Sequence, residues 1–247
     1  MARRWFPFPM DNRHSILQIT LGPKLLDVRQ PMQWHDSIPT KIRENLTMLR
    51  VIKIGGSILL RNNLAATVHQ WLDAHPADET MVIIGGGKLI DAVRELDQQH
   101  TMSPQQTHWM CVDLLTATAS FAAEIFGWPL VATEQEWNVA IEQSKTLPKP
   151  HGPAVPTVIT PNVFYNRKNS KNKNILDMRV PNDWRTTTDT IAALLAHRID
   201  ADELVLLKSC PIVSKMSFTK LAEAGIVDEA FPEIATGLKT IRVEQLK

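Results

Sequence analysis

Two short apolar runs, each closed by a cluster of glycines, leave this chain few folds to choose from. The first is Val51-Ile52-Lys53-Ile54, followed by Gly55-Gly56-Ser57; the second is Met81-Val82-Ile83-Ile84, followed by Gly85-Gly86-Gly87-Lys88. Short runs rich in β-branched residues predict buried strands. The second glycine cluster leads straight into Leu89, Ile90, Val93 and Leu96, whose spacing predicts an amphipathic helix. Strand–turn–helix units repeated in one chain predict an α/β fold with a parallel sheet. Glycines at strand ends let backbone N–H groups approach a ligand with no Cβ between, so the units also predict an anion site at the carboxyl edge of that sheet. Either turn alone is equally well explained as a tight strand-to-helix connection.

Lys53 favours the anion. A lysine inside an apolar strand is costly to bury unless a partner or an anion meets it. The common phosphate motifs do not account for the glycines. A P-loop requires glycine where Val82 stands and Ser or Thr where Leu89 stands, and the dinucleotide fingerprint requires glycine at Ile90. The pattern is that of a different glycine-rich phosphate binder.

The chain downstream repeats the theme. Leu64, Val68, Trp71 and Leu72 predict a helix that ends before Pro76, and Gln105–Phe126 predicts a long one after Pro104. The long helix has two usable faces, one for the sheet and one for a second subunit. Leu130–Ala132 reads as a strand, residues 134–143 as a helix, the proline-rich Lys145–Pro156 as a loop and Thr157–Thr160 as a strand. The polar, basic run Asn166–Lys173 reads as a solvated loop, or as a mobile cover over bound phosphates. Thr186-Thr187-Thr188-Asp189-Thr190 opens an alanine- and leucine-rich helix, where Asp189 suits the positive end of the helix dipole. Capping alone would explain it. The strand Leu204–Leu207 then delivers Lys208-Ser209 at its carboxyl end, the edge where open α/β sheets gather their ligands. Lys53, both glycine turns, Asp189 and Lys208 are therefore expected to meet. A helix at Phe218–Ala224, a turn at Val227–Phe231 and a strand at Thr240–Val243 complete the reading.

Composition excludes several alternatives. The formal net charge of +1 offers no general attraction to nucleic acid or acidic membranes. Two cysteines, Cys111 and Cys210, read as reduced, buried thiols of a cytoplasmic protein rather than a disulfide. The eight histidines lack metal-ligand spacing, so no protein-held metal is expected, and His108 reads as a satisfied or solvent-facing histidine. No apolar run approaches the roughly 18 residues of a membrane span. Residues 1–47, opening with Arg3, Arg4 and Trp5-Phe6-Pro7-Phe8-Pro9, form an N-terminal extension unlike the rest. A flexible tail, a packed strap and the product of an upstream start are all compatible with it.

From about Leu49 to Lys247 the sequence resembles the amino acid kinase superfamily, which includes acetylglutamate, aspartate, uridylate and isopentenyl phosphate kinases. The resemblance rests on Val51–Ser57, on Ile84–Lys88 with Asp91 to Asp97 behind it, and on His108-Trp109. It continues through Pro181-x-x-Trp184, Thr187–Ala193 and Ala201–Ser209. Within the superfamily it is closest to the aminomethyl-furan-methanol phosphate kinase of methanofuran biosynthesis. The resemblance implies a three-layer α/β/α sandwich with a mainly parallel sheet, and an ATP- and Mg2+-dependent kinase acting on a small phosphate substrate as a homodimer or higher homo-oligomer. It implies catalytic Lys53, Asp189 and Lys208. It also implies that Lys53, Gly55, Gly56, Ser57, Lys208 and Ser209 lie around ATP, and that Gly85, Gly86, Gly87 and Thr188 hold the acceptor. Many relatives place the second lysine later, after a Thr-Gly-Gly-Met-like turn. Here that region reads Ser214-Lys215-Met216-Ser217, so Lys215 and Lys220 rival Lys208. The Asp-Gly of the nucleotide loop is missing, which leaves the adenine contacts unassigned. Three readings stand: a kinase of small phosphate monoesters, a carboxylate or nucleoside-monophosphate kinase of the same fold, and a non-catalytic nucleotide- or anion-binding module.

The domain boundary is testable. Every motif lies in residues 48–247, so a chain begun at Met48 is expected to fold and to keep its activity. Insoluble or inactive protein from that start would make residues 1–47 a structural strap.

Overall fold

The computed structural model describes residues 48–146, 154–167, 179–213 and 216–247. The N-terminal extension, Lys215 and the 168–173 part of the basic run lie outside them. Six strands form one sheet: β1 (Leu49–Ile54), β2 (Glu79–Ile84), β3 (Leu130–Val131), β4 (Thr157–Ile159), β5 (Glu203–Lys208) and β6 (Ile241–Gln245). Their spatial order is β3-β4-β2-β1-β5-β6, and every pairing is parallel. The sheet is thus wholly parallel, where the sequence resemblance implied a mainly parallel one. The helices are α1 (Leu64–Ala74), α2 (Gly87–His100), α3 (Pro104–Phe126), α4 (Glu134–Thr146), α5 (Thr188–Arg198), α6 (Phe218–Glu223) and α7 (Phe231–Ile234).

The chain lays β2, β3 and β4 on one side of β1, then returns to place β5 and β6 on the other. That reversal creates a switch point at the carboxyl end of β1, where open parallel sheets leave a crevice for ligands.

Strand periodicity assigns each central side chain to one of two cores. Ile52 and Ile54 of β1 face α1, together with Val205 and Leu207 of β5. Val51, Leu204 and Leu206 face the opposite side, against α5. Lys53 is in phase with Val51, and Lys208 with Leu204 and Leu206, so both lysines point to the α5 side. Helix α5 is buried nearly all round: Ile191, Ala192, Ala193, Leu194, Leu195 and Ala196 are each at most 1% exposed. A helix apolar on every face has to lie inside a core, which holds its N-terminus rigidly over the two strands.

Several local expectations are refined. The apolar residues after the first glycine turn wind into a 3-10 turn, Gly56–Leu60. The turn expected at Val227–Phe231 runs into α7, where Pro232 occupies the first turn, a position that tolerates its missing N–H. Cys111 is half-buried and free, but Cys210 is exposed rather than buried, because it lies beyond the sheet edge after β5. Helix α3, 23 residues long, is long and apolar enough to cross a membrane by composition. Its apolar residues instead fill the two cores, Trp109, Val112 and Leu115 on one side of the sheet and Ala119, Ala122 and Phe126 on the other. Its outer face exposes Phe121 and Ile125.

Because α5 is gripped on all sides, Leu194→Ala is expected to destabilise the domain by about 2–5 kcal/mol, the usual cost of emptying a buried leucine site. Urea unfolding of the variant checks this. A loss under about 1 kcal/mol would show that the helix is not held by its packing.

Candidate active site

Three charged groups meet on the α5 side of the sheet. Lys53 is the penultimate residue of β1, opposite Ile83 of β2 and Leu206 of β5, and its Nζ lies 2.9 Å from Asp189 Oδ1. Lys208 ends β5, and its Nζ donates to Asp189 Oδ2 at 2.6 Å. One carboxylate is thus shared by two ammonium groups. Exposure is 6% for Lys53, 3% for Asp189 and 8% for Lys208, so all three ions lie out of bulk water. The rival Lys220 is exposed on α6, where its backbone N–H is capped by the Ser217 hydroxyl.

The two glycine turns pack backbone to backbone beside this trio. A Cβ on Gly56 would sit 2.1 Å from the Gly87 nitrogen, and Gly87 itself has φ +52°. Neither position accepts a side chain. The amides divide their duties more finely than the sequence suggested. Gly55 N–H donates to Leu207 O at 2.9 Å and Gly85 N–H to Ile54 O at 2.8 Å, so these two extend the sheet. Gly56 and Ser57 open the 3-10 turn, and Gly86 and Gly87 open α2. N–H groups at such positions have no acceptor inside their own helix and are suited to an anion. The hydroxyls of Ser57 and Ser209 touch at 2.7 Å, which links the turn after β1 to the end of β5.

This fold is shared with nucleotide kinases. UMP kinase from Bacillus anthracis superimposes with a TM-score of 0.53 at 10% identity, over 81% of this chain and 88% of that one. UMP kinase from Ureaplasma parvum gives 0.52 at 12% identity, over 81% and 91%. Identities this low speak for the fold alone. A search of curated protein sequences gives no match. The sequence itself matches the amino acid kinase family over residues 48–216, which takes in β1 to β5 and every site residue from Lys53 to Ser209. The chain belongs to the amino acid kinase family. Membership, with these kinase neighbours, supports a phosphotransferase.

In this family member a cavity of about 330 Å³ opens beside the glycine turns. Gly56, Ser57, Gly85, Gly86, Gly87 and Thr188 line it, so six of the expected residues come together there. Its far wall contains residues that the sequence reading quoted within motifs but gave no role. Trp184 donates from Nε1 to Asp97 Oδ2 at 2.7 Å, and the Arg94 guanidinium lies 4.8 Å from the Trp184 ring centre. Lys88 and Arg94 both pair with Asp91. His108 is buried, satisfied by Tyr165 OH at 2.9 Å and the Asp183 carbonyl at 3.2 Å, in keeping with the structural reading of it. Burial holds its imidazole below the ordinary range, against the opposing pull of Asp183. Burial likewise pushes the Cys111 thiol up to about 11, which makes it a poor nucleophile.

Asp228 is the residue for which the sequence offered no signal. Its carboxylate accepts from the N–H and hydroxyl of Thr187, at 2.9 and 2.8 Å, and from the N–H of Thr190 at 3.0 Å. It also accepts a short bond from the Thr190 hydroxyl. Helix α5 is therefore capped from a distant loop, and Asp189 is not its cap.

The electrostatics of the trio set a pH window. Burial opposes the charge on Asp189, but Lys53 and Lys208 outweigh it and hold the carboxyl below its usual range. Burial and the neighbouring Lys53 push Lys208 down to about 8, against the pull of Asp189. The Lys208 ammonium is thus present below that value and lost as pH rises through it. Phosphotransferase activity that needs this charge is expected to fall on the alkaline side near pH 8, and to hold on the acid side well below neutrality as far as Asp189 is concerned. A kcat/KM–pH profile, which reports the free enzyme, checks this, and a value still flat at pH 9.5 would remove Lys208 from the reaction.

Proposed function

We propose that this chain is a cytoplasmic kinase that transfers the γ-phosphoryl group of Mg·ATP to a small phosphorylated metabolite. The observation that carries the proposal is the buried Lys53–Asp189–Lys208 arrangement at the carboxyl edge of the sheet, beside two glycine turns in contact. Phosphoryl transfer passes through a loose transition state whose charge lies on nonbridging oxygens, so it needs position and positive charge more than covalent chemistry. Mg·ATP supplies the phosphoryl group and a metal that offsets part of its charge. Lys53 and Lys208 would hold the transferring group, and Asp189 would fix both ammonium groups in place. The Gly56, Ser57, Gly86 and Gly87 amides would position phosphate oxygens on either side of the transfer point, with Ser209 closing the nucleotide side. The magnesium would arrive on the nucleotide, held mainly by its phosphates.

The cavity supports a small acceptor. About 330 Å³ lies at the lower end of the roughly 300–1,000 Å³ range of small-molecule sites. The described carboxylates that line it, Asp91 and Asp183, are tied to Lys88 and Arg94 and to Arg185, and His108 is bonded at both nitrogens. An acceptor that arrives already ionised needs no general base, which favours a phosphate or carboxylate over an alcohol. Lys88 and Arg94 share the carboxylate of Asp91, and either cation could turn to a phosphate monoester in the cavity. The furan-methanol phosphate precursor of methanofuran is the specific candidate. A purely binding module would not need a carboxylate that keeps two lysines aimed at one point.

ATP turnover against aminomethyl-furan-methanol phosphate, UMP, other small monoesters and small carboxylates tests the proposal. Turnover of a monoester is expected, and Lys53→Ala should lower it by about a hundred- to a thousandfold with the fold intact, as losses of one preorganised charge donor do. No turnover with any acceptor, or wild-type turnover in folded Lys53→Ala, would refute it.

A further inference from the structure

Helix α5 begins with an unusual division of labour. Its N-cap residue, Thr187, makes no side-chain bond back to the helix. Asp228, from the loop before α7, takes over and accepts the Thr190 N–H that a cap would ordinarily satisfy. The same carboxylate also accepts from the Thr187 N–H and from both threonine hydroxyls. Every partner is a donor, so the network fits an ionised, acceptor-only carboxylate. Asp228 itself is buried, and its segment is also tied to the approach to α5 by the Ala230 N–H, which donates to Arg185 O at 2.9 Å. Its presence leaves Asp189, two residues into the helix, free to turn both oxygens to the lysines.

We propose that Asp228 is a positioning residue for phosphoryl transfer, clamping the first turn of α5 so that Asp189 holds Lys53 and Lys208 in one fixed geometry. The proposal rests on the kinase reading above. It assigns no contact with substrate to Asp228. A second effect follows from the same placement. The charged groups around Lys208 are Lys53 from β1, Asp189 from α5 and Asp228 from the loop, with Tyr165 also within the field of Asp228. Both carboxylates favour the Lys208 ammonium, whereas burial and Lys53 oppose it. Burial and the charge of Asp189 push the Asp228 carboxyl up, against the threonine bonds. The two carboxylates at one helix end thus repel each other, and the threonine donors and the lysines keep them together.

The test is Asp228→Asn, which keeps the shape but removes the charge and turns one acceptor into a donor. A kcat loss of about 10- to 100-fold is expected, the size seen when outer partners that orient metal ligands are removed. KM for ATP should change little, since the binding amides are untouched. The alkaline limb of the kcat/KM–pH profile should move to lower pH. The Lys208 Cε resonance in 13C-lysine-labelled protein, followed by NMR without any substrate, should titrate at lower pH than in the wild type. A purely structural role predicts instead a lower Tm with unchanged kcat and an unchanged Lys208 titration wherever the variant is folded, and that result overturns the proposal. If Asp228→Asn does not fold, Thr190→Val removes one donor and keeps the charge. It should lower kcat without moving the alkaline limb, and wild-type kcat in folded Thr190→Val overturns the clamp. The NMR arm needs no turnover, so a wild-type protein inactive on every acceptor would defeat the kinase reading separately.

Discussion

One carboxylate between two buried ammonium groups is the constraint around which this domain is arranged. Burying an unpaired ion costs several kcal/mol, and even a paired one recovers the cost only with good geometry. Lys53 could not stand buried near the end of a central strand without Asp189, and Asp189 could not reach it unless α5 were set down over β1 and β5. That explains why α5 is buried on every side although its first turn carries a buried charge. With all three groups ionised the trio keeps one positive charge in excess. A phosphate group would neutralise it, so ligand binding and electrostatic relief coincide at one place.

The glycine turns answer a steric demand rather than a demand for flexibility. They bring the ends of β1 and β2 so close that Gly56 and Gly87 leave no room for a methyl group between them. The outcome places the amides of Gly56, Ser57, Gly86 and Gly87 close together beside the cavity, next to the Ser57–Ser209 contact. Amides so placed suit oxygen anions by geometry, and in the proposed reaction the lysines would supply the charge.

Much of this was legible in the sequence because it follows from short-range rules. Period-2 alternation puts Lys53 and Lys208 on one face of adjacent strands, and the threonine-rich start of α5 fixes where Asp189 lies. The resemblance to the amino acid kinases put those residues in one site, and the structure brings them to within hydrogen-bonding range. What could not be read depends on distant loops. Asp228 sits in a turn with no periodicity, and only the folded chain shows that it caps a helix whose own threonines do not. The same is true of Arg94 on Trp184, and of Gly55 and Gly85, whose amides the sheet had already engaged. Cys210 looked apolar in its local window, but the strand ends just before it, and the next residues leave the core.

The wholly parallel sheet has a consequence for how the domain assembles. Parallel neighbours cannot be joined by a hairpin, so each pairing waits on a long crossover. β1 pairs β2 after a single helix, but its other neighbour, β5, comes from far along the chain: Leu49 N–H bonds Asp202 across 153 positions. Such distant pairings are slow to form, because the loop between them must close before any contact rewards it. The burial of Lys53 is thus paired only by groups that lie far along the chain, on α5 and β5, so its charge is satisfied only where those distant pairings are complete.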